Sequence, residues 1–185
     1  MPRIEPLSPP YEPDVADALA AMMPPGVPLI GLFRTFAVNL PMAEAMQRWG
    51  GYELSSKLSL SMRDRELVID RVCARCSCEY EWGVHVAFFA ERVDFTSAQV
   101  TSLTHGSPTD DCWDEREAAI LAAVDELHDR ADLGDAAWTA LRIHLDEAEV
   151  LDLLLLAGWY HAISYAANAA QVELEPGAPR FADVR

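Results

Sequence analysis

The sequence predicts an all-α fold, and three observations carry that reading. Apolar residues recur at helical spacing from Val15 onward, Ser, Thr, Asp, Gly and Pro stand where helices should begin and end, and no stretch alternates with the period of a strand. Residues 1 to about 13 hold five of the twelve prolines and no apolar period, which predicts an extended arm that frays or wraps a neighbour. VADALAAMM is a short helix closed by Pro24-Pro25-Gly26. PLIGLFRTFAVNL is a second helix, and Pro41 opens a third, MAEAMQRWG, which Gly50-Gly51 should end.

SMRDRELVIDRVCARC follows with Ser61 or Met62 at its start and Leu67, Val68, Val72 and Cys76 at helical spacing. CEYEWGVHVAFFAERV carries a stripe of Trp82, Val86, Phe89 and Val93, and Gly83 permits close packing. DFTSAQVTSL is a short helix entered through an Asp or Thr cap. DEREAAILAAVDELHDR has acids in its first turn and Arg at its end, as the helix dipole favours. GDAAWTALRIHL and DEAEVLDLLLLAGWYHAISYAANAA complete the chain, the latter apolar nearly all round and therefore expected in the core or at a subunit contact. The expected division is a Pro-rich arm with the first short helix over 1–25 and one helical domain over 26–185.

Composition narrows the function. Fourteen Lys and Arg against thirty Asp and Glu give a formal net charge of -16, which repels nucleic-acid phosphates and anionic membranes, so neither is an expected partner. No run reaches the roughly 20 apolar residues of a membrane span, and the first residues lack the basic-then-apolar order of an export signal. The expectation is a soluble, cytoplasmic protein. Cys73, Cys76 and Cys78 fall within six residues while Cys112 stands apart, a clustering that suits reactive or buried thiols better than a disulfide framework.

The chemistry-bearing residues converge on one helix. Cys78 lies at its start, where free N–H groups and the helix dipole favour a thiolate. Glu81 follows at i+3 and His85 at i+7, and all three side chains fall within roughly 60° of one another. Thiol, carboxylate and imidazole on one face make a proton relay, with Glu66 on the preceding helix as a second carboxylate. The plainer alternative is that Glu81 and His85 are an ordinary surface pair.

RELVIDRV, CEYEWGVHV, EAAILAAVDELHDR and GWYHAISYAANA occur in the same order in carboxymuconolactone decarboxylase-like proteins, and the resemblance covers most of the chain beyond residue 25. In the alkyl hydroperoxidase D branch the active motif is Glu, eleven residues, Cys, two residues, Cys, three residues, His; the positions here are Glu66, Cys78, Glu81 and His85. The resemblance implies a helical bundle of that type, an active site between helices near a subunit interface, and proton-relay roles for Glu66, Cys78 and His85. Glu81 stands where the family's second redox cysteine belongs, so the in-register dithiol is missing.

Three functions follow as expectations. The first is a peroxidase-like (peroxiredoxin-type) thiol oxidoreductase with Cys78 reactive, His85 as base, Glu66 and Glu81 as relay carboxylates, and Cys76 as a possible resolving thiol. The second is a cofactor-free decarboxylase, lyase or isomerase acting on a small lactone or carboxylated substrate with the same residues as acid and base. The third is a non-catalytic, oligomeric ligand-binding protein. Tyr80, Trp82 and His161 are weaker candidates for the substrate pocket. Glu81, His85, Glu66 and His161 make only a weak metal-ligand set, so neither metal nor cofactor is assigned. The expected partners are a small-molecule substrate and further copies of the chain, as a homo-oligomer.

Overall fold

The computed structural model describes residues 1–24 and 26–184, so Pro25 of the first predicted turn lies outside the described residues. These residues form nine α-helices and no strand: α1 (Pro13–Met22), α2 (Gly31–Phe36), α3 (Leu40–Glu53), α4 (Met62–Arg75), α5 (Glu79–Phe89), α6 (Ser97–His105), α7 (Glu115–Arg130), α8 (Asp135–His144) and α9 (Glu147–Ala170). The caps explain the boundaries. Ser61 accepts from the Asp64 N–H to start α4, and Thr96, Asp114 and Asp146 each form a capping box at the start of α6, α7 and α9.

Three expected boundaries move: the second predicted helix ends at Phe36 and passes into a 3-10 turn at Ala37–Asn39, α5 ends at Phe89 with a 3-10 turn at Glu91–Val93 after it, and α3 is longer than expected. α3 runs through Gly50-Gly51 to Glu53, because its last turn is held by tertiary contacts: the Tyr52 hydroxyl donates to Asp152 of α9 at 2.7 Å and Glu53 is buried. Two glycines raise the cost of helix without forbidding it when packing opposes them.

α4 is the axis of the bundle, packed against α5, α6, α7 and α9. Every residue from Asp64 to Cys73 is buried, including five charged ones. Its arginines are in part structural. Arg71 forks onto both oxygens of Asp125 at 2.7 Å and donates to the carbonyls of Ser102, Leu103 and Gly106, closing the C-terminal end of α6. α9 meets the length and composition criteria for a membrane-crossing helix that the sequence reading set aside. It packs on α4, α5 and α8, and Val150, Leu153, Leu156, Ala157 and Ile163 are buried in the shared core.

Both ends of the chain lie on this body. The arm is tied to its own chain, with the Arg3 N–H on the Ala170 carbonyl at 2.7 Å and the Leu7 N–H on Arg34 at 3.1 Å. The segment after α9 crosses α5: Phe181 packs on Trp82 with ring centroids 5.0 Å apart, and its N–H donates to Glu79. Gly83 is required beneath it, since a Cβ there would meet the Pro179 carbonyl oxygen at 2.7 Å.

Burial, then the Asp152 carboxylate, push the Glu53 carboxyl up to about 7, against a smaller opposing pull from Trp49. A raised carboxyl pKa means that the folded state holds the proton more tightly, so this part of the stability is present below the unfolded value and lost as pH rises through 7. Glu53→Gln should therefore stabilise the fold by about 1–3 kcal/mol near pH 8 and by little near pH 4, as read by urea denaturation at the two values.

Candidate functional site

The site is built where α4, α5 and α9 meet. Glu66 projects from the centre of α4 and has no solvent exposure. A carboxylate so placed must be paired. Arg65 donates through Nε to Oε1 at 2.7 Å, with Nη2 at 2.6 Å from the same oxygen, and the other oxygen, Oε2, takes the Nδ1–H of His85 at 2.7 Å. That bond fixes the ring, leaving Nε2 against the Tyr160 hydroxyl of α9 at 3.0 Å. Arg65, Glu66, His85 and Tyr160 thus form one continuous polar chain through the core. Phe89 stacks on His85 at 5.4 Å and Arg65 lies over the Phe89 ring at 5.0 Å, so the aromatic ring forms part of the cover.

The charges are not independent. Burial opposes the imidazolium of His85, but Glu66, with Glu81 and Asp70, outweighs it and raises the His85 pKa above its ordinary value. Burial raises the carboxyls of Glu81 and Asp70, with Glu66 adding to both and His85 pulling each back.

Cys78 is where the sequence placed it, as the N-cap of α5, but its ionisation is reversed. The side chain is wholly buried, and burial outweighs the Glu81 N–H that points at it. The thiol is pushed up to about 11 instead of being lowered. A helix N-terminus lowers a thiol pKa only where desolvation does not exceed it, and desolvation depends on the whole packed core.

The structure brings Glu66, Glu81, His85 and Cys78 into one buried neighbourhood and separates the other candidates from it. Tyr80 is a clamp: its hydroxyl accepts from the Leu32 N–H at 2.9 Å and donates to Glu175 at 2.6 Å, tying α5 to the start of α2. Trp82 is buried packing. His161 does not join His85. Its Nε2 sits 3.0 Å from Nδ1 of His128 on α7, and Cys76 Sγ is 3.9 Å from the same His128 nitrogen. Burial, then Arg75 and His161, lower the His128 pKa.

The sequence reading missed Tyr160 as the hydrogen-bond partner of His85 and passed over Asp70 and Arg65. A signal existed for Asp70, which is four residues from Glu66 and so on the same face of α4. For Tyr160 the only signal was a phenol inside an otherwise apolar helix, beside the histidine that drew the attention instead.

No curated protein matches this chain. Among solved structures, the debrominase Bmp8 is 16% identical with a TM-score of 0.77, over 93% of this chain and 91% of that one; a cysteine-to-alanine variant of it is seen in complex with 2,3,4-tribromopyrrole. A peroxidase-related protein from Silicibacter sp. is 16% identical, TM-score 0.77, over 98% and 96%. A protein of unknown function from Agrobacterium tumefaciens, provisionally named as the antioxidant defence protein AhpD, is 20% identical, TM-score 0.69, over 76% and 96%. At these identities the likeness is one of fold. Residues 41–126, the stretch holding Glu66, Cys78, Glu81 and His85, match the carboxymuconolactone decarboxylase family. That match spans just under half of the chain, and the all-helical fold is what the whole chain shares with these solved structures.

Proposed function

We propose that this protein is an acid–base enzyme acting on a small carboxylated or lactone substrate, with His85 as the proton-transfer group, Glu66 as its orienting carboxylate and Tyr160 as the contact through which the proton passes. The observation that carries this reading is the His85 ring held by Glu66 on one nitrogen and Tyr160 on the other. As imidazolium, His85 gives its Nε2 proton to Tyr160 while the phenol gives its own to the substrate, and Glu66 keeps the charge on the ring stabilised. In a decarboxylation the bond to the carboxylate breaks, carbon dioxide leaves, and the electron pair left as an enolate takes that proton.

The thiol-peroxidase reading has one specific support, the Glu81 N–H directed at Cys78 in a fold shared with a peroxidase-related protein. Magnitude weighs against it. A thiol titrating near 11 is ionised in only about one molecule in ten thousand at pH 7, and Glu81 offers no second thiol.

Trp138 and Ile143 of α8, with Leu151, Leu155 and Tyr165 of α9, are large apolar side chains left exposed, Ile143 at 73% and Tyr165 at 67%. We infer that they pack against another copy of the chain. Leu155→Glu is expected to lower the mass measured by light scattering, whereas an unchanged mass would remove α9 from any subunit contact.

Turnover of small unsaturated lactones and β-keto acids separates the catalytic readings, with peroxide and 2,3,4-tribromopyrrole as thiol-dependent comparisons. His85→Ala should lose about a hundredfold or more in kcat, Glu66→Gln should lose activity with it, and Cys78→Ala should stay active. Loss confined to Cys78→Ala, with a sulfenic acid after peroxide, would establish the thiol reading instead. Because the carboxylates hold the imidazolium together, the alkaline limb of kcat/KM should lie above 6.5, the ordinary imidazole value, and Glu66→Gln should move that limb to lower pH.

A further inference from the structure

Cys76, His128 and His161 come from three different helices and meet at one half-buried point. Cys76 caps the end of α4, His128 lies in the last turn of α7, and His161 stands in the middle of α9. Their ligand atoms, one sulfur and two ring nitrogens, all lie within 4.8 Å of one another. No spacing in the sequence announces the group, since 52 residues separate Cys76 from His128 and 33 more lead to His161. Neither histidine falls inside the family match over 41–126.

We propose that this cluster is a zinc(II) site with Cys76 Sγ, His128 Nδ1 and His161 Nε2 as ligands and a fourth position open to solvent. The distances fit that ion. Tetrahedral zinc, with Zn–N of about 2.0–2.1 Å and Zn–S of about 2.3 Å, sets two nitrogens roughly 3.3 Å apart and sulfur roughly 3.6 Å from each nitrogen. The two nitrogens stand 3.0 Å apart and the sulfur 3.9 Å from His128, so shifts of a few tenths of an ångström at these two pairs seat the metal.

The surroundings orient the ligands as a metal site requires. His161 Nδ1 donates to the Ala157 carbonyl one turn back on α9 at 2.9 Å, which leaves the Nε2 lone pair aimed into the cluster. Asn168 donates to the Cys76 carbonyl at 3.0 Å and fixes the end of α4 that carries the thiol. A thiolate with two imidazoles is a borderline-soft set that favours zinc over magnesium or calcium. On binding, the zinc–sulfur bond replaces the sulfur–hydrogen bond and one proton leaves to solvent, so the process is redox-neutral. The same site withdraws Cys76 from the resolving role the sequence suggested for it.

The test is a titration of the full chain, first freed of metal with a chelator, with cobalt(II) as a spectroscopic stand-in and then with zinc(II) as competitor. The expected result is saturation at one equivalent with a thiolate-to-cobalt charge-transfer band, displaced by zinc. Cys76→Ser should abolish the band, His128→Gln and His161→Gln should each weaken binding at least tenfold, and Cys78→Ser should leave it intact. Should a variant fail to fold by circular dichroism, zinc should still protect Cys76 of the unaltered chain from alkylation, read peptide by peptide. Absence of one-equivalent binding, a band that survives Cys76→Ser or vanishes with Cys78→Ser, or Cys76 alkylated equally with and without zinc would overturn the proposal.

Discussion

Glu66 is a charge at the centre of a hydrocarbon core, and the arrangement around it follows from the need to keep it there. An unpaired carboxylate in such a place costs several kcal/mol, so α4 presents Arg65 beside it, α5 brings His85 against its other oxygen, and α9 supplies Tyr160 to the far nitrogen of that histidine. Three helices are thereby fixed in register by one ion pair and its extensions. Arg65 and His85 are committed to Glu66, and burial, with Glu66 adding to it, raises the carboxyls of the other acids in the neighbourhood, Glu81 and Asp70.

Local rules made the helices legible. Ser61, Thr96, Asp114 and Asp146 mark starts because a side-chain oxygen satisfies free N–H groups whatever the rest of the fold does. Gly50-Gly51 misled for the opposite reason, since the contacts of Tyr52 and Glu53 that override two glycines come from residues a hundred positions away. The arm was read as fraying or wrapping a neighbour because nothing near Arg3 in sequence announces that Ala170 of the same chain will receive it.

The candidate site divides along the same line. Glu66, Glu81 and His85 were legible because helix geometry and the spacing of a family motif place them together. Cys78 was legible in position and not in ionisation, because position is a property of one helix and desolvation a property of all those packed on it. Tyr160 and the Cys76, His128 and His161 group were illegible for a further reason: each depends on which faces of α7 and α9 turn toward α4, which a single sequence does not state.

The clamp at Glu175 has a consequence for how the chain is made. Its carboxylate receives both the Gly31 N–H and the Tyr80 hydroxyl, and the stretch around it lies across α5. During synthesis, residues 31 and 80 leave the ribosome long before residue 175, so the growing chain must hold the start of α2 and the outer side of α5 unsealed while most of the domain already exists. Helices α4 to α7, whose contacts are nearer in sequence, can assemble in that interval, and the last segment locks a body already formed.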